Sequence, residues 1–384
     1  MTPIHRDRTP ADATDAGGDW VSRFAAPPPR LRLAKLPTPV ERLPVLDAPG
    51  RPVYVKRDDA SSEAYGGGKV RKLEFVLARH PTGPCVSVGA VGSHHLLALA
   101  VFLARSGRKL HSWTFVQEPT PHAVRNLAAL VSLQPLVWHV PRRVLLPLAA
   151  LDYRWLRRPP AHAQWIPAGG SSPEGSFGFF VAALELAEQV RAGMLEAPRT
   201  VYVTAGTAGT AAGLALGFAA AGLAVHLRLV SAVERPLFNR WMMAQKVQAL
   251  AAFVRGCAPG GDLADLVAPG VVSRLRARGV RWSVDHGQVG PGYGRTTPAA
   301  HEAVAAGTAH DLHLETTYTG KCFAAMRRDL AGAGRFTPPR GPVLFWNTHG
   351  ATDVRRYIVP GWQDRLPAGL ARWVRRVGGA DLVR

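Results

Sequence analysis

The chain has little cysteine: Cys85, Cys257 and Cys322 are three thiols among 384 residues. Thiols this few and this scattered exclude a disulfide framework or a zinc knuckle. The N-terminus has no apolar core followed by a cleavage site, so no secretory signal is expected. Together these absences predict a cytoplasmic protein in a reducing compartment, without a bound metal.

Acidic residues are also scarce, because 27 Asp and Glu stand against 47 Lys and Arg, for a net charge of +20. Such an excess would favour nucleic acid as a partner. However, only seven of the basic residues are lysines, and the arginines are scattered in a background rich in Ala, Pro and Gly. The densest clusters, Arg154 to Arg158 and Arg372 to Arg376, lack interleaved runs of aromatic residues. Nucleic acid is therefore disfavoured, and retention on DNA that falls steeply with salt would be its signature.

Long apolar runs and two common catalytic motifs are missing as well. The longest uncharged stretch, roughly residues 204–227, is long enough to span a membrane, but five glycines interrupt it. A glycine loop that leads into a buried helix explains this stretch better, so no membrane partner is expected. The absence of G-x-S-x-G disfavours a Ser-His hydrolase, and the absence of a Walker motif excludes a P-loop nucleotide site.

What the chain does have is a regular alternation of apolar segments. Short strands are predicted at 52–57, 85–89, 110–116, 134–140, 200–204, 225–231 and 343–346, and helices at 93–105, 123–133, 178–192 and 210–221. Strands that alternate with helices indicate parallel sheets in an α/β protein, and this length predicts two or three domains. The pattern His310-x-x-His313-x-Glu315 is interpreted as a strand rather than a metal site.

Lys69 follows three glycines and opens a stretch, Val70 to Ala78, whose apolar period predicts a helix. Glycines let the backbone approach a bulky ligand, and a lysine at such a turn can be held rigidly and partly desolvated. Desolvation and the neighbouring Arg71 and Lys72 would both lower the pKa of the Lys69 amine. A neutral amine attacks aldehydes, as a Schiff base with pyridoxal phosphate requires. A flexible turn with a solvated lysine is the alternative for this motif by itself.

A second glycine loop lies between the strand at 200–204 and the helix at 210–221. Gly206 and Gly209 free backbone N–H groups to point at an anion, and a helix N-terminus favours negative charge. The hydroxyls of Thr207 and Thr210 add donors. The pattern indicates a phosphate-binding loop, although a glycine turn that serves only close helix–sheet packing is the alternative.

Ser93 stands where the helix at 93–105 begins, after a loop with two glycines. An N-cap serine and the exposed N–H groups of a helix start suit a ligand of the size of a carboxylate. His94 and His95 follow it, but adjacent residues on a helix face different directions. The pair therefore does not predict a metal site.

Three further motifs complete the series: Gln288 to Gly294, Tyr318 to Lys321 and Phe345 to Gly350. In this order the six motifs resemble the 1-aminocyclopropane-1-carboxylate deaminase/D-cysteine desulfhydrase family, from about Pro37 to Ile358. Members of that family are pyridoxal-phosphate enzymes with the tryptophan-synthase-β-like fold. The resemblance implies a two-domain α/β protein of fold type II, in which each domain is an open, parallel-rich sheet flanked by helices.

The resemblance also implies a domain organisation and a set of site residues. The expected division is a disordered arm at 1–30, a large cofactor-binding domain at 31–71 and 179–384, and a small domain at 72–178, in a homodimer. The implied catalytic residues are Lys69, Ser93, Tyr293 and Tyr318. The residues implied to bind pyridoxal 5'-phosphate are Lys69, His94, Gly206, Thr207, Gly209, Thr210 and Thr348. The residues implied to bind a small amino-acid substrate are Ser93, His95 and Tyr293.

The sequence departs from the family pattern at several of these positions. Gly68 and His94 stand where the family usually has asparagine, and His349 stands where it usually has glycine. His94 can still donate a hydrogen bond to the cofactor ring hydroxyl. Thr319 and Thr348 occupy places where the ring-opening deaminase branch tends to carry glutamate and leucine.

The expected function is therefore a lyase with desulfhydrase-like β-elimination, which gives pyruvate, ammonia and sulfide. The first alternative is 1-aminocyclopropane-1-carboxylate deaminase. The second is a catalytically lapsed relative that binds cofactor or ligand as a regulatory module.

Overall fold

The computed structural model describes residues 20–79, 81–117, 120–141, 145–146, 162–334, 336 and 339–376. The chain divides into two units. The larger lies within Ala11–Arg79 and Ser171–Ala351, and the smaller within His80–Gly170 and Thr352–Arg384. Residues 352–376 thus group with the smaller unit, whereas the sequence-based division assigns them to the large domain.

Strands and helices alternate along both units. The strands of the described residues are Val40–Arg42 (β1), Val53–Arg57 (β2), Cys85–Ala90 (β3), Leu110–Phe115 (β4), Leu136–Val140 (β5), Gln164–Ile166 (β6), Thr200–Ala205 (β7), His226–Ser231 (β8), Arg281–Asp285 (β9) and Val343–Asn347 (β10). The α-helices of the same residues are Gly68–Arg79 (α1), His94–Arg105 (α2), Pro121–Ser132 (α3), Pro173–Arg191 (α4), Gly209–Ala220 (α5), Arg240–Gly256 (α6), Gly261–Val267 (α7), Val271–Ala277 (α8), Pro298–Thr308 (α9), Thr319–Leu330 (α10) and Ala368–Arg376 (α11). No helix among them is both long and apolar enough to span a bilayer.

Each unit is built on one sheet. The larger unit has six strands in the order β1-β2-β10-β7-β8-β9, in which only β1 runs antiparallel to its neighbour. The smaller unit has four parallel strands in the order β5-β4-β3-β6. Parallel neighbours need crossover connections, which the helices between the strands supply. The α/β class and the two parallel-rich sheets predicted from the sequence are confirmed.

The N-terminal segment corrects one expectation. The predicted disordered arm covers residues 1–30, but Trp20 and Phe24 are buried in the core of the larger unit. The Trp20 ring centroid lies 5.7 Å from that of Phe75 on α1 and 5.5 Å from that of Phe177 on α4. Edge-to-face aromatic packing of this kind stabilises a core beyond the burial of its area. Residues 20–30 are therefore ordered, and the rest of the predicted arm lies outside the described residues.

Two element boundaries also differ from the sequence-based expectation. Helix α4 begins at Pro173 rather than Gly178, because the Ser172 hydroxyl accepts a hydrogen bond from the Gly175 N–H and caps the first turn. The strand expected across His310, His313 and Glu315 is wrong, because these residues form a turn and irregular backbone between α9 and α10. The Glu315 carboxylate is instead used at the beginning of α10.

Candidate active site

Lys69 is the second residue of α1, immediately after a tight loop of the larger unit. Gly67 has φ +96°, a backbone conformation that favours glycine. The Gly68 N–H donates to the carbonyl of Thr348, 3.1 Å away, just beyond the end of β10. A Cβ at Gly67 would lie 2.8 Å from the Gly350 nitrogen. The glycine loop before Lys69 and the loop that contains Thr348 are therefore in direct contact, as the two motifs predict if they serve one site.

The surroundings of Lys69 favour a neutral amine. The residue as a whole is half-buried, and burial of its amine lowers the pKa of Lys69, an effect that the charge of Glu315 only partly opposes. Burial also brings the pKa of Lys72 well below its usual value, and the charges of Lys69 and Lys246 lower it further. A lysine amine with a lowered pKa is neutral in a larger share of molecules, and a neutral amine can act as a nucleophile and a base.

The loop between β7 and α5 forms a cradle for an anion. A Cβ at Gly209 would lie 2.5 Å from the Ser171 Oγ, 3.1 Å from the Ser176 Oγ and 3.2 Å from the Lys72 Nζ. Two hydroxyls and an amine thus converge on the first turn of α5, where backbone N–H groups are exposed. The Ser171 hydroxyl also donates to the carbonyl of Thr207, 2.8 Å away, and this bond shapes the loop.

This donor set fits a phosphate group. Lys246 adds a second cation, because its Nζ donates to the Ser171 carbonyl at 3.0 Å and its charge acts on Lys72. Two lysines and a helix N-terminus together favour a doubly charged anion, and the two serine hydroxyls, which donate to the Thr207 and Ser172 carbonyls, shape the loop around it. The sequence predicts the glycines and threonines of this loop, but local patterns do not reveal Lys72, Ser171, Ser176 and Lys246 as its neighbours. Lys72 could have been found, because it lies three residues after Lys69 and so on the same face of α1.

Tyr293 and Tyr318 form a hydrogen-bonded pair next to the loop. Their hydroxyl oxygens are 2.7 Å apart, and their rings pack edge to face with centroids 6.3 Å apart. The Tyr318 Cε1 lies 3.7 Å from the position of a Cβ at Gly206. The structure therefore brings both predicted tyrosines together with the predicted phosphate-binding loop.

Ser93, His94 and His95 lie in the smaller unit, at the beginning of α2. The Ser93 Oγ accepts a hydrogen bond from the Leu96 N–H at 3.4 Å, which confirms an N-cap at this position. His94 Nε2 lies 2.7 Å from His122 Nε2, and the buried His95 Nε2 lies 2.9 Å from the Ser87 Oγ. The adjacent histidines thus have different partners, and within the described part of the chain no three His, Cys, Asp or Glu side chains form a metal-binding group.

The similarity of the chain to known proteins indicates its family. A family model described as "Pyridoxal-phosphate dependent enzyme" matches residues 31–348. The chain is 32% identical over 345 residues to a D-cysteine desulfhydrase of Salmonella paratyphi A, covering 86% of this chain and 96% of that protein. A D-cysteine desulfhydrase of Salmonella newport is also 32% identical, over 351 residues, with the same two coverages.

Solved structures with low sequence identity share the fold. A structure described as an ACC deaminase homologue has a TM-score of 0.67 at 23% identity, covering 85% of this chain and 93% of that chain. The processed form of threonine deaminase isoform 2 from Solanum lycopersicum has a TM-score of 0.52 at 14% identity, covering 93% of both chains.

Proposed function

Because the chain belongs to the pyridoxal-phosphate-dependent enzymes, we propose that it is a lyase that eliminates sulfide from D-cysteine. Its cofactor is pyridoxal 5'-phosphate. The observation that carries the choice of substrate is the 32% identity to D-cysteine desulfhydrases over 96% of their length. In the balanced reaction, D-cysteine and water give pyruvate, ammonia and hydrogen sulfide, as the Cα proton is removed and the C–S bond breaks.

The larger unit supplies the groups that would hold the cofactor. Lys72 and the N–H groups at Gly209 would bind its phosphate, and Lys69 would bind its aldehyde carbon. When bound, the cofactor is an electron sink for a carbanion at the substrate Cα. Thr348 would offer a hydroxyl rather than a carboxylate to the pyridine nitrogen. A hydroxyl leaves that nitrogen largely unprotonated, and this favours elimination over transamination.

The protein's own residues would control the protons. Lys69 would accept the Cα proton, since the burial that lowers the pKa of its amine keeps a share of it neutral. The Tyr293 and Tyr318 hydroxyls share a hydrogen bond and so can hold a proton beside the loop at Gly206. Ser93 and His95 remain predicted partners of the substrate carboxylate, and His94 a predicted partner of the ring hydroxyl.

The choice between the two family branches is supported by Thr319 and Thr348. Thr319 is buried, and its Oγ accepts a hydrogen bond from the Glu315 N–H at 3.1 Å. This short hydroxyl gives the site no acid of its own at the position where the ring-opening branch tends to carry glutamate. A substrate with a good β-leaving group is therefore the better candidate.

A comparison of substrates tests the proposal. The purified, cofactor-loaded protein is expected to be yellow and to release keto acid faster from D-cysteine or β-chloro-D-alanine than from 1-aminocyclopropane-1-carboxylate. L-Cysteine is the stereochemical control. Faster turnover of the cyclopropane substrate would favour the deaminase alternative. A yellow protein that turns over none of these compounds would favour a lapsed relative or a different amino acid.

We also propose that the protein is a cytoplasmic homodimer that binds neither membrane nor nucleic acid. The proposal is supported by the scattered arginines and by the lack of a membrane-spanning helix among the described residues. Light scattering coupled to size exclusion tests the oligomeric state. Retention on DNA at low salt, lost steeply as salt rises, would contradict the expected absence of nucleic acid.

A further inference from the structure

Glu315 is a buried carboxylate at the beginning of α10, in the turn that carries Tyr318. Its Oε2 accepts a hydrogen bond from the Thr317 N–H at 2.7 Å. Its Oε1 accepts hydrogen bonds from the Tyr318 N–H at 2.8 Å and the Thr319 N–H at 2.9 Å. One side chain therefore accepts hydrogen bonds from three consecutive backbone N–H groups. At the start of a helix such groups have no acceptor within the helix.

These bonds fix the backbone of Tyr318. Tyr318 is the N-cap of α10 with φ −126° and ψ −74°, and its own side chain does not cap the helix. Glu315 takes over this role, and its negative charge suits a helix N-terminus. On the other side, the Tyr318 carbonyl accepts a hydrogen bond from the Thr204 hydroxyl at 3.3 Å. The Tyr318 backbone is thus held on both sides. Its side-chain hydroxyl forms a hydrogen bond with that of Tyr293.

Glu315 also acts electrostatically on the site. Burial lowers the pKa of Lys69, and the Glu315 charge is the opposing influence that raises it. The same charge raises the pKa of Lys321, against the larger lowering by burial. At Tyr65, burial and the Glu315 charge both raise the pKa of the phenol. Among the described residues, the Glu315 charge thus raises the pKa values of Lys69, Lys321 and Tyr65.

We propose that Glu315 is a positioning residue of the active site, which fixes Tyr318 beside the phosphate-binding loop. The inference rests on the proposed function for the role of Tyr318. The carboxylate has two properties, its charge and its length, and these can be separated. Its charge acts on Lys69, whereas its length determines where the N–H groups of the turn are held.

Two substitutions separate charge from length. Glu315→Gln keeps the length and loses the charge, and Glu315→Asp keeps the charge and shortens the side chain. The matched control is Asn239→Ala, which removes the cap of α6, where the Asn239 Oδ1 accepts hydrogen bonds from the Trp241 and Met242 N–H groups. This control variant lacks one helix cap in the same unit, and the charge near Lys69 is unchanged.

The first measurement uses cofactor-free protein. Competitive acetylation of Lys69 with acetic anhydride, followed by peptide mass spectrometry across pH, reports the titration of its amine, and the residue is partly exposed. Glu315→Gln is expected to label Lys69 faster near neutral pH, because the Glu315 charge that raises the pKa of the amine is removed. Glu315→Asp and Asn239→Ala are expected to follow the wild-type curve. A Glu315→Gln curve that superimposes on the wild type would show that the Glu315 charge does not act on Lys69.

The second measurement uses cofactor-loaded protein and D-cysteine. Glu315→Asp is expected to lower kcat about tenfold with little change in KM, because Tyr318 moves while the substrate groups stay. A kcat equal to that of Asn239→Ala would overturn the positioning part. If the wild type itself shows neither colour nor turnover, the proposed function fails, whereas the acetylation experiment still decides the effect of Glu315 on Lys69.

Discussion

Lys69 and Lys72 lie one turn apart on α1, and their surroundings give two residues of the same type different tasks. Lys69 keeps part of its surface accessible and faces the charge of Glu315, whereas Lys72 is buried beside Gly209. Lys72 also lies in the field of two other lysines, which lower the pKa of its amine further. An anion bound at Gly209 would relieve that repulsion. At this scale, we propose Lys69 as the nucleophile and Lys72 as an electrostatic anchor for the anion.

Replacing each lysine should therefore have a different effect. Lys69→Ala should abolish both the yellow colour and turnover, since no other amine occupies its position after the glycine loop. Lys72→Ala should keep Lys69 reactive but weaken cofactor binding about ten- to a hundredfold, for the loss of roughly 1.5–3 kcal/mol of charge-assisted hydrogen bonding. Borohydride reduction and peptide mapping identify the labelled lysine. A label on Lys72 in the wild type would contradict the assignment.

At the scale of elements, the loop from β7 to α5 depends on how closely its neighbours approach. The two predicted glycines of the loop differ in this respect. A Cβ at Gly209 would lie 2.5 Å from the Ser171 Oγ, but the nearest atom to a Cβ at Gly206 would be 3.7 Å away. The Ser171 hydroxyl is also bonded to the Thr207 carbonyl, so it cannot move without disturbing the loop. Neighbouring atoms approach Gly209 so closely that only glycine fits there, whereas position 206 has room for a methyl group.

Two alanine substitutions test this difference. Gly209→Ala should displace Ser171 and weaken cofactor binding by about tenfold or more, comparable to the loss of one charge-assisted hydrogen bond. Gly206→Ala is its matched control and should change the cofactor dissociation constant by less than about threefold. The constant is measured by titrating cofactor-free protein and following the visible absorbance. Equal effects of both substitutions would mean that side-chain space does not decide the geometry of the loop.

At the scale of the whole molecule, a closed group of buried charges ties four elements of the larger unit together. The Arg71 guanidinium on α1 lies 2.7 Å from the Asp58 Oδ1, and 2.9 Å from both carboxylate oxygens of Glu185 on α4. Lys56 on β2 lies 2.5 Å from Glu185, and the Trp346 indole on β10 donates to Asp58 at 2.7 Å. Two cations balance two anions, so removing any one leaves a buried charge that lacks a counterion. This group anchors the helix that carries Lys69.

The group also makes stability depend on pH. Burial alone would raise the pKa of Glu185, but the charges of Arg71 and Lys56 outweigh it and lower the pKa from 4.5 to about 2. As pH falls from about 4.5 to about 2, the unfolded state binds the proton first, so this contribution is lost on acidification. Above pH 4.5 it is fully present and amounts to roughly 3 kcal/mol.

Urea unfolding of the wild type and Glu185→Gln between pH 7 and pH 3 measures this contribution. Glu185→Gln should cost about 3–5 kcal/mol of unfolding free energy at neutral pH, because Arg71 and Lys56 lose a counterion. The difference between the two proteins should shrink below about pH 4.5. A difference that stays constant over this range would exclude Glu185 as the titrating group.

The N-terminal aromatic cluster gives a second prediction for the whole molecule. Trp20→Ala should lower the free energy of unfolding by roughly 3–5 kcal/mol, since it removes a buried ring that contacts Phe75 and Phe177. Trp241→Ala is the control, because that ring is 69% exposed and its loss should cost less than about 0.5 kcal/mol. Similar losses for both variants would restore the interpretation of residues 20–30 as a loose arm.

The order of the elements and the positions of the local motifs follow from patterns in the amino-acid sequence. Periodicity, glycines and capping residues report on neighbours within a few positions, so the α/β class, the Lys69 loop and the loop at Gly206 to Thr210 were predictable. Only the tertiary structure brought Ser171 and Lys72 to the same loop, buried Trp20, and placed the Glu315 charge where it acts on Lys69. These residues are far apart along the chain, and their convergence depends on the order of strands in the sheet and on helix packing, which no local pattern encodes.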